Sequence, residues 1–269
     1  MNNTFDTKWE KIEGTKKGSD EKRLFVDVGE TPKTQRQLNL YYYFLFTKRI
    51  LKEAKAKKVL EVGCGRGTLS LYLSKYLGLE TELLDDQEDA IRIAKTAYDE
   101  FGQKGVFHTK NVLSTALPSD SYDGLVSIGL AEHFEDPTPL FKEQYRLLKQ
   151  GGVMVSLNIP KKRSIQELNL VMRWFKKMLG GYKEELRKDY YRNELTAEEY
   201  KESAQKAGFK NISIVHVCPF PIFVPVSISS DKMITRIYKL ILFIKNVFQK
   251  YPFKTNRFIA QAHFLVAYK

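Results

Sequence analysis

Val59-Leu60-Glu61-Val62-Gly63-Cys64-Gly65-Arg66-Gly67-Thr68 is the stretch from which the rest of the chain can be read. A short apolar run ends in an acid, breaks into glycines at alternate positions, and resumes at Thr68 with Leu69, Leu71, Tyr72, Leu73 and Leu77 at helical spacing. The pattern predicts a strand, a tight loop and a helix. Glycines let a ligand approach the backbone without a Cβ in the way, and the first turn of the helix behind them offers unpaired N–H groups to an anionic moiety. A dinucleotide fingerprint, G-x-G-x-x-G, does not fit. The third glycine comes one residue early, and Thr68 stands where Gly or Ala is required.

Composition sets outer bounds. A chain of 269 residues with 43% hydrophobic content can bury a full core as one large domain with elaborations. Cys64 and Cys218 are the only cysteines, too few for a disulfide framework and not at metal-ligand spacing, so no metal site is expected. Met1 to Gly18 is polar, with no apolar signal region, and no run approaches the ~18 apolar residues of a membrane span, so a cytoplasmic location is expected. The net charge of +12 is unevenly placed: residues 1–160 carry 23 Lys+Arg against 23 Asp+Glu, and residues 161–269 carry 21 against 9. A neutral half joined to a basic half suggests an anionic partner on the basic side, against the plainer reading of a merely solvated basic face.

Glu61-x-Gly63-Cys64-Gly65-x-Gly67 resembles the first motif of the class I S-adenosylmethionine (SAM) dependent methyltransferases, of the small-molecule, ubiquinone-biosynthesis-like type. Further segments follow in the same order. Glu80 to Leu84 reads as a second strand ending in Asp85-Asp86, 18 residues beyond Gly67 in the case of Asp85, where a ribose-binding doubly wound fold needs a carboxylate. Asp86 is the expected N-cap of the next helix, which carries Ile91, Ala94 and Tyr98 on one face. Asn111, with Val112, stands where the family has an acid that contacts adenine, and Leu117-Pro118 to Tyr122-Asp123 resembles its L-P-x-x-x-x-F-D turn before a fourth strand. Ala131-Glu132-His133 followed by Asp136-Pro137 resembles an L-E-H segment, Leu148-Lys149-Gln150-Gly151-Gly152 an L-K-P-G-G turn, and Thr196 to Phe209 a later helix ending in A-G-F.

The resemblance spans about Val59 to Phe209. It implies an α/β architecture: a doubly wound, mostly parallel seven-stranded sheet of the Rossmann-like methyltransferase fold, with helical insertions after strands 5 and 6. Residues 1–37 read as an N-terminal arm or cap, and 38–269 as the methyltransferase domain. Insertions 160–195 and 218–261 would form a substrate cap. The first insertion should open with the capping box Ser164 to Glu167, and the last strand, Ala262 to Ala267, should be the antiparallel edge partner of the sixth. An aromatic-rich helix is expected over Leu38 to Ala54, with one of Tyr41, Tyr42 and Tyr43 a candidate lid.

The resemblance further implies a SAM site built from Glu61, Gly63, Cys64, Gly65, Gly67, Asp85, Asp86, Asn111, Val112, Ser127 and Gly129. A sulfonium methyl is already activated, so methyl transfer asks mainly for orientation, plus a base when the acceptor carries a proton. His133 is the candidate base and Glu132 the group that orients it or the cofactor. His108, His216 and His263 read as structural, and Tyr190 and Tyr191 as acceptor contacts. The acceptor expected is a small or conjugated molecule, including a glycan- or lipid-linked or phosphorylated one. The alternatives are an RNA or protein methyltransferase, with nucleic acid disfavoured because no RNA-binding module is present, and a non-catalytic descendant of the fold. Residues 231–250 read as a basic amphipathic helix, with Met233, Ile237, Leu240, Ile241, Ile244 and Phe248 opposed by Lys232, Arg236, Lys239 and Lys245, suited to peripheral membrane contact.

Overall fold

The structure, a computed structural model, describes residues 25–26, 30–161, 191–217, 228–249, 251–252, 260 and 262–269. The expected capping box at Ser164, Tyr190, and the Pro/Phe segment at 219–225 lie outside these residues.

The chain enters the sheet through helix α1, Gln35–Glu53. Thr34 caps it: its side chain accepts from the backbone N–H of Gln37, and the Gln37 side chain accepts from the Thr34 backbone in return. The helix therefore starts three residues before the expected Leu38. β1 (Lys58–Val62) leads through the glycine loop into α2 (Thr68–Leu77), and β2 (Glu80–Asp85) into α3 (Glu88–Glu100). After β3 (Val106–Thr109) come β4 (Tyr122–Ile128), a 3-10 turn at Ala131–His133, α4 (Thr138–Leu147) and β5 (Leu148–Asn158). The remaining elements are α5 (Ala197–Lys206), β6 (Lys210–Val217), α6 (Ile228–Phe248) and β7 (Ala262–Tyr268).

The seven strands form one sheet in the order β3-β2-β1-β4-β5-β7-β6. β1 to β5 pair in parallel, and β7 runs antiparallel to both β5 and β6. The expected antiparallel pairing of the last strand with the sixth is present. Its expected edge position is not, because β7 lies between β5 and β6 and leaves β6 at the edge. Val153 to Tyr268 and Asn158 to His263 mark the ends of a long β5–β7 ladder. Together with the β6–β7 ladder it satisfies backbone groups on both sides of β7 that an edge strand would leave half unpaired.

Alternation along the strands divides the core into two layers. On one face Val59, Val126, Val153, Val155 and Phe264 meet α1, α2 and α3 through Phe46, Leu51, Leu71 and Ala94. On the other, Leu60, Val62, Leu125, Met154 and Leu265 meet α4 and α5 through Leu140, Phe141 and Tyr200. Helices on both faces explain why β1, β4 and β5 carry apolar residues toward both layers. The aromatics of α1 belong to the first layer: Phe46 stacks on Phe264 at 4.1 Å, Phe44 stacks on Tyr72 at 4.9 Å, and Tyr43 meets Phe264 edge-on. Tyr41 leans on Phe44 and Tyr72, and Tyr42 on Tyr251, so all three candidate lid tyrosines are packing residues here.

The three expected structural histidines sit within strands. His108 Nε2 lies 2.6 Å from Glu82, which also holds Lys58 and the Tyr122 hydroxyl in one buried cluster.

Phe264 joins the middle of the sheet to α1 and is buried to 1% exposure. Phe264→Ala should therefore lower stability by about 3–5 kcal/mol, seen as a reduced urea midpoint at unchanged m-value.

Candidate cofactor site

The sheet reverses its strand order between β1 and β4: the chain runs outward from β1 through β2 to β3, then returns to β1's other side. Ligands of open α/β sheets sit beyond the carboxyl ends of the strands at such a switch point. The glycine loop is there. Its backbone is fastened to the end of β2 by three successive N–H groups: Gly63 and Cys64 donate to the Leu84 carbonyl at 2.8 and 3.0 Å, and Gly65 donates to Asp85 Oδ2 at 2.9 Å.

Two glycines of this loop are required by the packing. Gly63 has φ +68°, and a Cβ there would come within 2.8 Å of Leu130, in the loop after β4. Gly67 has φ +63°, and a Cβ would meet Leu83 at 2.5 Å and Ala94 at 3.0 Å, which keeps α2 close to the sheet. Cys64 is buried, and burial raises its thiol pKa far above the ordinary value, so it contributes a small apolar wall rather than a nucleophile.

Three carboxylates lie buried around this end of the sheet: Glu61 at 3%, Asp85 at 8% and Glu132 at 2% exposure. Asp85 closes β2 and accepts from Gly65 N–H through one oxygen and from Gln87 N–H through the other, at 2.9 and 3.1 Å. Asp86, the expected N-cap, is exposed. The cap position is held by Gln87, with no side-chain bond to the helix, because Asp85 rather than Asp86 takes up the Gln87 amide. Glu61 accepts from Ser70 N–H at 3.0 Å, inside the first turn of α2. Burial, with a smaller contribution from Asp85, pushes its pKa up to about 7. Arg66, half-buried in the loop beside Arg36 of α1, is lowered to about 10 by burial and then by that like charge.

Beyond β3, Asn111 is exposed and its Oδ1 accepts from Leu113 N–H at 2.8 Å, so the oxygen expected to meet adenine already has one partner. Val112 is buried beside it. Ser127 points into the opposite layer. Its hydroxyl donates to Ser156, which donates to Asn158, which lies 3.3 Å from His263 Nε2, a buried polar track between β4, β5 and β7. Gly129, φ +69°, ends β4 with its N–H on the Leu157 carbonyl, and Glu132 Oε1 lies 3.3 Å from where a Cβ would be.

Glu132 is the least compensated of the three carboxylates. Its Oε2 is buried without a hydrogen-bond partner, and burial raises its pKa to about 7 despite Arg192 nearby. Its neighbour His133 is oriented differently from the expectation. Nδ1 lies 2.7 Å from the Tyr191 carbonyl, which can only accept, so Nδ1 carries a proton and the neutral ring keeps its lone pair on Nε2. The Tyr191 backbone, not Glu132, orients that ring.

Sequence reading missed Asn193. Its Nδ2 donates to the carbonyls of Ala131 and Phe134, its backbone N–H to the Glu132 carbonyl, and its Oδ1 accepts from the Tyr200 hydroxyl at 2.7 Å. One side chain thus fixes the turn that carries Glu132 and His133. Nothing in its local sequence marks it, since its partners are about 60 residues away.

These groups fit a ligand that carries vicinal hydroxyls and positive charge. A carboxylate at the end of β2 accepts from a diol, and three buried acids with one uncompensated oxygen favour a cation.

Residues 34–214 match a family of methyltransferase domains, and the chain belongs to that family. Among curated relatives, 2-methyl-6-phytyl-1,4-hydroquinone methyltransferase 1 of Oryza sativa subsp. japonica is 29% identical over 60% of this chain and 44% of its own length. A ubiquinone biosynthesis O-methyltransferase of Xanthomonas axonopodis pv. citri is 30% identical over 37% of this chain and 42% of its own. The chain therefore spans less than half the length of these two relatives. Among solved structures, a SAM-dependent methyltransferase from Archaeoglobus fulgidus has a TM-score of 0.50 at 21% identity, covering 85% of this chain and all of that one. A phosphoethanolamine N-methyltransferase of Haemonchus contortus, solved with S-adenosylhomocysteine, has a TM-score of 0.52 at 18% identity, over 86% and 56%. Both likenesses establish the fold.

Glu61 supplies a test. A carboxyl whose folded pKa is raised from 4.5 to about 7 contributes stability below pH 4.5 that is lost as pH rises through about 7. The ligand-free chain should lose stability between about pH 5 and 8, and Glu61→Gln should remove a share of that loss on the order of 3 kcal/mol, measured by urea unfolding at both pH values.

Proposed function

We propose that this chain is a SAM-dependent methyltransferase acting on a small-molecule acceptor. The observation that carries the reading is Asp85, a buried acid at the end of β2 whose carboxylate is bonded to the backbone of the glycine loop at the strand-order switch. The relatives' names, which concern hydroquinone and ubiquinone-biosynthesis methylation, support a small-molecule acceptor.

In this reading the loop at Gly63 to Gly67 lies along the cofactor, Asp85 accepts from the ribose hydroxyls, and Asn111 with the Val112 backbone meets the adenine. Glu61 fixes the loop's far side through Ser70 N–H. Asp86 is exposed and Ser127 is committed to Ser156, so their roles at the cofactor fall to the backbone. SAM, bound there, supplies a methyl group on a sulfonium, already activated for transfer. Glu132 places negative charge next to the Gly129 turn, where a positively charged ligand is favoured. His133 receives the acceptor's proton on Nε2, the nitrogen left basic by the Nδ1–Tyr191 bond. The expected substrate cap, insertions 160–195 and 218–261, lies largely outside the described residues.

Calorimetry with SAM tests the assignment. Asp85→Ala should weaken binding about 10–100-fold with the far-UV circular dichroism unchanged; equal affinity in the variant would remove the cofactor site from this location. Once an acceptor is found by labelling cell-extract fractions with methyl-labelled SAM, His133→Ala should lower turnover by about 10²–10⁴-fold and leave SAM affinity intact. Turnover that stays within a few-fold of wild type would take the proton-acceptor role away from His133.

A further inference from the structure

α6 has two opposite faces. One is seated: Leu242 is buried with Leu38 of α1, Ile234, Tyr238 and Tyr42 pack around that pair, and Asp231 Oδ1 accepts from Gln35 N–H at 3.0 Å. The other is apolar and open. Met233, Ile237, Leu240, Ile244 and Val247 follow one another at intervals of three and four, Phe248 lies four beyond Ile244, and with about 100° between successive residues they share a single stripe. Leu240 is 60%, Val247 69% and Phe248 84% exposed. From Met233 to Phe248 the stripe runs about 22 Å along the helix. Exposed apolar area of this extent marks an interaction surface rather than ordinary scatter.

The flanks of the stripe decide the partner. Lys232, Arg236 and Lys239 fall on one side of it, with the exposed Phe243 among them, while Lys245 follows the buried Leu242 by three residues near the end of the helix. The only acid of the helix, Asp231, faces α1. Lysine and arginine stems can lie along an apolar surface while their charges reach outward to anionic headgroups. A second copy of this chain would instead set like-charged flanks against each other, which disfavours a symmetric pairing through this face. No helix among the described residues is long and apolar enough to cross a membrane. An amphipathic helix with this layout lies in the plane of the interface, its apolar face among the acyl chains.

We infer that α6 docks the protein on an anionic lipid surface, with the stripe from Met233 to Phe248 inserted and Lys232, Arg236 and Lys239 among the headgroups. The seated end of the helix adjoins the N-terminus of α1, and Arg36 there is the residue whose charge reaches Arg66 in the glycine loop. Taken with the proposed methyltransferase reading, on which this point rests, docking through α6 brings the chain to a surface where an acceptor that partitions into the bilayer is concentrated.

The test is co-sedimentation of the full chain with vesicles of equal parts phosphatidylcholine and phosphatidylglycerol, and with phosphatidylcholine alone. Binding should favour the anionic vesicles by about tenfold or more at low ionic strength and fall steeply with added salt. Leu240→Glu combined with Phe248→Glu should remove binding to both vesicle types, whereas Arg236→Glu combined with Lys239→Glu should remove the preference for anionic lipid. SAM affinity and thermal midpoint, measured on the same variants, should match wild type, which keeps loss of docking apart from misfolding and from failure of the cofactor assignment. Two results would overturn the inference. One is a chain that dimerises in sedimentation velocity and becomes monomeric on Leu240→Glu, which gives the stripe to a second copy. The other is a monomer that ignores both vesicles, which gives it to another segment of this chain.

Discussion

Three consecutive backbone N–H groups, of Gly63, Cys64 and Gly65, are aimed at the end of β2, two at the Leu84 carbonyl and one at the Asp85 carboxylate. Everything at the candidate site depends on that fastening. It fixes the turn out of β1 in positive-φ conformations that a side chain would oppose, brings α2 close enough for Ser70 N–H to reach Glu61, and holds Asp85 with its carboxylate toward the loop. The site is thus determined by the relation of two adjacent parallel strands more than by any one side chain.

Its electrostatic character follows from burial. Glu61 and Glu132 are both removed from water, and burial raises both carboxyls to about 7, so each holds its proton more tightly than an exposed carboxylate does. A positively charged ligand shifts both toward the ionised form, and such binding releases protons as it occurs. Evolution retains the local instability of buried acids at ligand sites.

Much of this was legible before the structure. Local signals carried it: the E-x-G-x-G-x-G spacing gave the turn, the acid after the next strand gave Asp85, and three-and-four spacing gave the apolar stripe of α6. Thr34-x-x-Gln37 was an equally local signal for the start of α1, and the aromatic run behind it drew the reading past it. The place of β7 between β5 and β6 was hidden because strand order is settled by long-range packing, and local pattern does not encode it. Asn193 was hidden for the same reason. The engagement of the Ser127 hydroxyl with Ser156 was hidden too, because it joins two strands 29 residues apart. The Asp86 cap failed by one residue, since two adjacent acids compete for one role and only the backbone of Gln87 decides between them.

The placement of β7 has a consequence for how the molecule is made. β5 pairs on one side with β4 and on the other with a strand drawn from the far end of the sequence, beyond both basic insertions. As the chain emerges from the ribosome, β1 to β5 can assemble early, with the outer edge of β5 open until residues 262–269 arrive. Unpaired edges of this kind invite intermolecular strand addition. The newly made protein is therefore most exposed to aggregation in the interval before its last strand closes the sheet, and that final ladder is the step a chaperone would need to protect.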